Sequence, residues 1–434
     1  MRAWLLVICS TLTACQSTSM PPAAFMPNPI TTPQNSKAIT TLLAQPLTVD
    51  NAVTIALSQS PTVHAIIAEL HQQYDEANQE ANWLPLQLRI ERLLSPHQGV
   101  LTTNVELAVS RLLWSSYYKK IRNSQQQQAL AKAHVDLLQF AQQVRKTFYQ
   151  VQTSQAQQLA LGQIADAAHA AAELAQRQFQ IGNIAVRERD HALLGEHEAQ
   201  LALAENQRQQ ALFRTELNQL LGLAPEQDTW QVSEELAVLP AQLPYLPQVE
   251  QLALSRHPAI LLAEMKLSHE DTQQQLRKKQ RWANAVSLGG SVAQNSPETE
   301  RSMSLGLEIP LTYTLSQAEQ YRAQAALAQE KLNVKWQSKL AYQQWQSYWQ
   351  DARTWQQKIT PLYTNIRIET GLRYNGMLEN LEDLITASQK EQQAKHAYLE
   401  ALNRFMLAQA VLEQWLNMPI QQAVIANNAL EQQP

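Results

Sequence analysis

Two short segments of the chain alternate between apolar and polar residues, the period of a half-buried strand. The first lies near 84–112 and contains the turn-prone residues 95–99, and the second lies near 283–311. Each predicts a β-hairpin with strands of about 10 residues, a length that suits a tilted strand crossing a bilayer. Aromatic residues at the ends away from the turns favour an interfacial girdle: Trp83, Trp114, Tyr117, Tyr118, Trp282 and Tyr313.

Helical periodicity dominates the rest of the chain. Residues 117–179 contain no Pro and a single Gly, and their apolar residues step by three and four as in a coiled-coil seam. A helix of this length extends roughly 95 Å, which is too long for an ordinary globular domain. The pattern predicts a break at 182–183, a helix over 184–221, and equivalents over 317–373 and 378–416.

The halves of the chain are colinear duplicates, offset by 195 to 200 residues. ALSQSP at 56–61 returns as ALSRHP at 253–258. The expected domains are one repeat over 47–223 with its tip near 179–183, a Pro-rich connector over 224–247, and a second repeat over 248–418 with its tip near 374–377. A tether over 15–46 and a tail over 419–434 flank them.

The N-terminus has the form of a lipoprotein signal peptide over residues 1–14. Arg2 precedes an apolar stretch that is too short for a transmembrane helix and that ends in Leu12-Thr13-Ala14-Cys15. This sequence resembles the bacterial lipobox, in which the Cys is acylated. The resemblance implies a covalent lipid on Cys15 and, with Gln16 after it, sorting to the outer membrane.

Composition and motifs exclude several classes of function. A net charge of −4 argues against nucleic-acid binding, which calls for a basic surface. The chain has no HExxH or GxSxG motif, and its His residues show no metal-ligand spacing, so we expect neither an enzyme, a metal site nor a cofactor besides the lipid. A lipoprotein without a long apolar helix can cross its membrane only with strands.

Five segments, in their order along the chain and their duplication, resemble the TolC family of outer-membrane efflux proteins. The resemblance is closest to the metal-cation-efflux branch of that family. They are LTVDNAVTIALSQSP (47–61), ALSRHP (253–258), SMSLGLEIPL (302–311), FQIGNIAVRERDHALLGEHEAQLALAENQ (179–207) and RYNGMLENLEDLITASQ (373–389).

The resemblance implies a mainly α fold with a membrane β-barrel. Long helices of a homotrimer would form a periplasmic α-barrel, and four strands per subunit would close a twelve-stranded barrel. It further implies an outer-membrane exit duct for metal cations or drugs, which works with a periplasmic adaptor (membrane fusion) protein and an inner-membrane transporter.

The resemblance also suggests roles for residues at the two tips. Aromatic-x-x-Gly sequences there meet the adaptor, and Phe179 with Gly182 matches this pattern, whereas Tyr374 with Gly376 is one residue short. Glu188 and Glu382 lie six residues after the two glycines. In the family, carboxylates at about this place line or gate the aperture, with an Arg such as Arg373 as partner.

Two other classes remain open on the sequence. A periplasmic adaptor is often a lipoprotein with a helical hairpin, but it usually has one hairpin and Gly-rich flanking halves, whereas this chain has two hairpins and ten Gly. A coiled-coil scaffold lipoprotein without a channel would have no need of paired strands bracketed by aromatic residues.

Overall fold

The computed structural model describes residue 39 and residues 41–81, 86–94, 99–108, 114–233, 238–280, 285–295, 298–308 and 317–431. Cys15, Trp83, Trp282 and Tyr313 lie outside these ranges, as do residues 95–98 and 296–297 of the two hairpin turns, which were expected at 95–99 and 295–298. Gly99, Asn295 and Glu298 belong to strands.

The order of elements is the same in the two halves. The first half contains α1 (Val49–Gln59), α2 (Pro61–Ala81), β1 (Leu86–Leu94), β2 (Gly99–Ala108), α3 (Ser115–Gln180) and α4 (Val186–Leu221). The second contains α5 (Val249–Arg256), α6 (Pro258–Gln280), β3 (Ala285–Asn295), β4 (Glu298–Glu308), α7 (Ala318–Thr354), α8 (Thr360–Asn375), α9 (Leu381–Leu416) and the additional α10 (Ile420–Glu431).

The second long helical segment differs from the first because it contains a π-helical turn. The turn spans Trp355–Ile359, between α7 and α8, and is followed by Pro361. Proline has no N–H for the carbonyl four residues earlier, and its ring crowds that carbonyl, so the wider turn accommodates it. The chain is helical throughout 318–375, as predicted for 317–373, but the sequence analysis did not predict the π-helical turn within it.

The four strands form one antiparallel sheet in the order β1-β2-β3-β4. Among the described residues, β1 and β4 each pair with a single strand. Directly opposed residues share a face of a sheet, and two alternate rows are mostly apolar. These rows are Leu86, Leu107, Leu288, Leu305 and Leu88, Val105, Gly290, Met303. The row between them is Gln87, Glu106, Gly289, Ser304.

Two compact units make up the described chain. The first, residues 67–133 and 261–329, contains the sheet and the adjoining parts of the helices. Its helices are joined by polar contacts as well as small apolar ones. The Gln126 amide donates to Asn78 Oδ1 at 3.1 Å, and the Gln320 amide donates to Asp271 at 2.7 Å.

The second unit comprises the described residues within 39–66, 134–260 and 330–431. Its core contains Phe148, Val151, Leu412 and Leu416, all almost fully buried. Trp345 stacks on Phe405 with ring centroids 6.1 Å apart, and His257 stacks on Trp415 at 5.0 Å. No helix of the described ranges is long and apolar enough to cross a membrane.

Candidate functional site

The turn between α3 and α4 is a Schellman motif built on Gly182. The Asn183 N–H donates to Gln178 O at 2.8 Å, and the Gly182 N–H donates to Phe179 O at 3.0 Å. Gly182 has φ of 78°, in the left-handed region that glycine adopts most readily. A Cβ at this position would have no heavy atom within 4 Å, so backbone conformation alone favours glycine here.

The turn between α8 and α9 is also a Schellman motif, but its left-handed residue is Met377, with φ of 57°. The Leu378 N–H donates to Arg373 O and the Met377 N–H donates to Tyr374 O, both at 2.9 Å. Tyr374 therefore occupies the position of Phe179. Gly376 lies one residue before the left-handed position and has φ of −84°. This displacement explains why Tyr374 and Gly376 are two residues apart, whereas Phe179 and Gly182 are three residues apart.

The same displacement changes which carboxylates correspond. Counted from the left-handed residues, Glu188 corresponds to Asp383. Both cap the helix that follows: Glu188 Oε2 accepts from Ala185 N at 3.3 Å, and Asp383 Oδ2 accepts from Asn380 N at 3.4 Å. Glu382 precedes this capping position by one residue. Counting from the glycines pairs Glu188 with Glu382, whereas its structural counterpart is the next residue, Asp383.

Three of the residues singled out on the sequence, Glu188, Glu382 and Tyr374, line one cleft of about 770 Å³. The cleft lies within the second unit, among α3, α4 and α9. Over the described ranges, no three His, Cys, Asp or Glu side chains converge as metal ligands would.

Arg373 lies beside a different carboxylate from those expected. Its Nη1 is 2.8 Å from Glu379 Oε1, within the turn that follows α8. In the single chain Arg373 therefore pairs with Glu379, six residues away. Its expected role as a partner of the aperture carboxylates stays a prediction.

Phe179 makes a contact that the sequence did not reveal. The Arg189 guanidinium lies over its ring at 4.3 Å from the centroid, and Arg189 also pairs with Asp190 at 2.6 Å. The cation–π contact therefore joins the last turn of α3 to the first turn of α4. The only sequence signal is an Arg ten residues after an aromatic residue, a spacing that has no meaning until the turn between them is known.

Several apolar side chains near the two turns are exposed, among them Ile181, Val186, Leu372 and Leu378. Farther along, exposed Leu332, Trp336 and Leu340 follow one another at steps of four on α7. Residues four apart lie on the same face of a helix, so α7 presents a partly exposed apolar stripe. The Lys339 ammonium lies 5.7 Å from the centroid of the Trp336 ring in this stripe.

No protein-family model and no curated protein matches this chain. Solved structures do. The outer membrane protein VceC of Vibrio cholerae matches with a TM-score of 0.71 at 14% identity, over 86% of this chain and 96% of that one. The CmeC outer membrane channel of Campylobacter jejuni matches with 0.68 at 13% identity, over 89% of each chain. The open MtrE outer membrane channel of Neisseria gonorrhoeae matches with 0.63 at 16%, over 85% and 89%.

At these identities the likeness concerns the fold. This chain has the fold of outer-membrane channel proteins, with long helices and a small antiparallel sheet. The prediction of a mainly α chain with four strands is therefore confirmed.

Proposed function

We propose that this protein is the outer-membrane channel of a tripartite efflux pump and not an enzyme. In this role it is a homotrimer, anchored by a lipid on Cys15, that extends from the outer membrane into the periplasm. It receives solutes such as metal cations or drugs from an inner-membrane transporter and a periplasmic adaptor.

The observation that carries the proposal is the four-stranded sheet within a channel-protein fold. Two rows of the sheet are largely apolar, whereas the row between them is polar or glycine. β1 and β4 each leave one hydrogen-bonding edge without a partner among the described residues. Unpaired edges are not tolerated in hydrocarbon, so a membrane location requires other copies to close the sheet.

The helices support the same assembly. The stripe of Leu332, Trp336 and Leu340 is 45–63% exposed in the single chain, and burying it against another copy removes apolar area from water. The two turns supply a second exposed surface. Phe179, Gly182, Tyr374 and Gly376 belong to it, and we assign adaptor contact to this surface.

Glu188, Glu382 and Arg373 are proposed as aperture residues. In a trimer, three copies of each Glu would place six carboxylates around one axis, where they favour cations over anions. Like charges at close quarters disfavour joint ionisation, so Arg373 or a bound cation would stabilise the closed ring.

Planar-bilayer recordings of the purified, lipidated protein test the channel. We expect cation-selective conductance that loses selectivity in Glu188→Gln with Glu382→Gln and that rises in Arg373→Gln. Glutamine retains an oxygen that can cap α4, so the variant tests charge. The matched control is Glu226→Gln, since Glu226 is exposed on a separate 3₁₀ turn.

Absence of conductance in every preparation would contradict the channel. Unchanged selectivity in the double variant, with conductance intact, would remove only the aperture assignment. A trimer that survives in detergent at low temperature and dissociates on heating separates the channel from an adaptor or a coiled-coil scaffold.

A further inference from the structure

The cleft among α3, α4 and α9 is large because small residues line two of its helices. Ala168, Ala171 and Ala175 of α3 lie along it, together with Ala192 and Gly195 of α4. Its volume of about 770 Å³ falls within the roughly 300–1,000 Å³ of sites for drug-sized ligands.

The ionisable lining of the cleft is mainly acidic. Glu188, Glu198 and Glu382 line it together with His191 and His396, and no Lys or Arg does. Glu188 caps α4, whereas the side chains of Glu198 and Glu382 make no hydrogen bond or ion pair with another described residue. Carboxylates that flank the cleft do have basic partners: Glu173 with Arg177, Glu196 with His169, Glu379 with Arg373, and Glu391 with Lys395.

Apolar side chains form much of the remaining wall: Leu161, Ile164, Leu194 and Ile385. Tyr374 adds an aromatic ring, whose face attracts cations. A small inorganic cation would use little of this surface, and an anion would be repelled. A molecule with both an apolar body and a fixed positive charge complements both parts of the lining.

We propose that this cleft binds lipophilic organic cations. The assignment of such ligands as cargo rests on the proposed channel function, whereas the binding site itself depends only on the second unit of the chain. The site lies within one chain and shares Glu188 and Glu382 with the proposed carboxylate ring, whereas Glu198 belongs to the cleft alone.

Tetraphenylphosphonium and tetraphenylborate form a suitable pair of probes because they share a shape and differ in the sign of their charge. Equilibrium dialysis of the full-length protein in non-ionic detergent, corrected for empty micelles, measures both. We expect saturable binding of the phosphonium with about one site per chain and no saturable binding of the borate. Saturable binding of both ions alike would overturn the proposal.

Two variants separate charge from shape. Glu198→Gln with Glu382→Gln should weaken phosphonium binding about tenfold, since two attractive charges are lost. Ala192→Leu should weaken it by filling the cleft without changing charge, and Glu226→Gln should leave it unchanged. Circular dichroism establishes that each variant is folded. Unaltered affinity in both cleft variants would place the bound ion elsewhere and refute the assignment.

Bilayer conductance distinguishes this inference from the proposed function. Conductance without phosphonium binding would contradict the cleft site and leave the channel intact. Saturable, cleft-dependent phosphonium binding by a protein that never conducts would support the site and contradict the channel.

Discussion

At the residue scale, the two turns show what a single sequence reveals and what it conceals. Gly182 was predicted to end a helix, because glycine adopts the left-handed conformation without strain. Met377 could not be found in this way, since a left-handed methionine is uncommon. The exact register of a turn depends on where its helix stops, and the sequence signal for that is weak. Consequently Glu188 was paired with Glu382, although Asp383 is its structural counterpart.

Removing the glycine at 182 and introducing one at 377 should change the stability of the two turns in opposite directions. Gly182→Ala forces Cβ into a left-handed residue and should destabilise its turn by about 1 kcal/mol. Met377→Gly removes such strain but adds freedom to the unfolded chain, so a gain of only about 0.5 kcal/mol is expected. Hydrogen exchange at the Asn183 and Leu378 amides, which close the two motifs, measures both. Faster exchange at Leu378 in the glycine variant would contradict this account.

At the element scale, α8 is tied to α9 by a buried carboxylate. Glu391 of α9 is only 4% exposed. It accepts from Thr364 Oγ1 at 2.9 Å and lies 3.2 Å from Lys395 Nζ, and it also pairs with Arg367. Burial by itself would raise the pKa of Glu391, but these hydrogen bonds and positive charges outweigh it, and the pKa is lowered. A charged residue on a helix usually marks a solvated face, so the sequence alone does not indicate that Glu391 is buried.

The contact should make the packing of α8 on α9 sensitive to acid. A carboxyl group with a lowered pKa in the folded state contributes stability above its ordinary pKa, and this contribution is lost as the pH falls through the folded-state value. Glu391→Gln should therefore cost about 2 kcal/mol at pH 7 and reduce the dependence of unfolding on pH between pH 7 and acid. Thermal melts over that pH range measure both effects.

The control for this prediction is Glu226→Gln, because Glu226 is exposed on the 3₁₀ turn Pro225–Gln227. A wild-type pH dependence in Glu391→Gln would show that other groups dominate the acid response.

At the scale of the whole molecule, the duplication was the most informative feature of the sequence. The prediction of a helix or strand in one half was supported by the prediction of its counterpart in the other half. The π-helical turn at Trp355–Ile359 was missed because Pro361 lies within an otherwise regular helical period, and local packing decides how a helix accommodates proline. The approach of α3, α4 and α9 around one cleft involves contacts distant in sequence, which periodicity does not encode.

Attachment of the chain to the outer membrane is expected to depend on Cys15 as well as on the strands. Cys15→Ala should abolish incorporation of a labelled fatty acid because we propose its thiol as the acylation site. We expect part of the variant to leave the outer-membrane fraction, while trimers still form from the material that remains. A Cys9→Ala variant is the control. Undiminished acyl labelling of the Cys15 variant would refute the lipoprotein prediction.

The proposed ring of copies has a genetic consequence, because β1 and β4 each pair with a single strand among the described residues. The outer edges of β1 and β4 differ, so copies that join edge to edge pair the β1 of one chain with the β4 of the next. Every chain in a closed ring must therefore have both edges intact. A chain whose β4 edge is blocked by proline still presents β1, enters a ring and prevents its closure. In a cell that makes both forms, the proposed ring therefore predicts that the damaged allele is dominant. For a ring of three, the yield of closed channels falls with the cube of the fraction of intact chains.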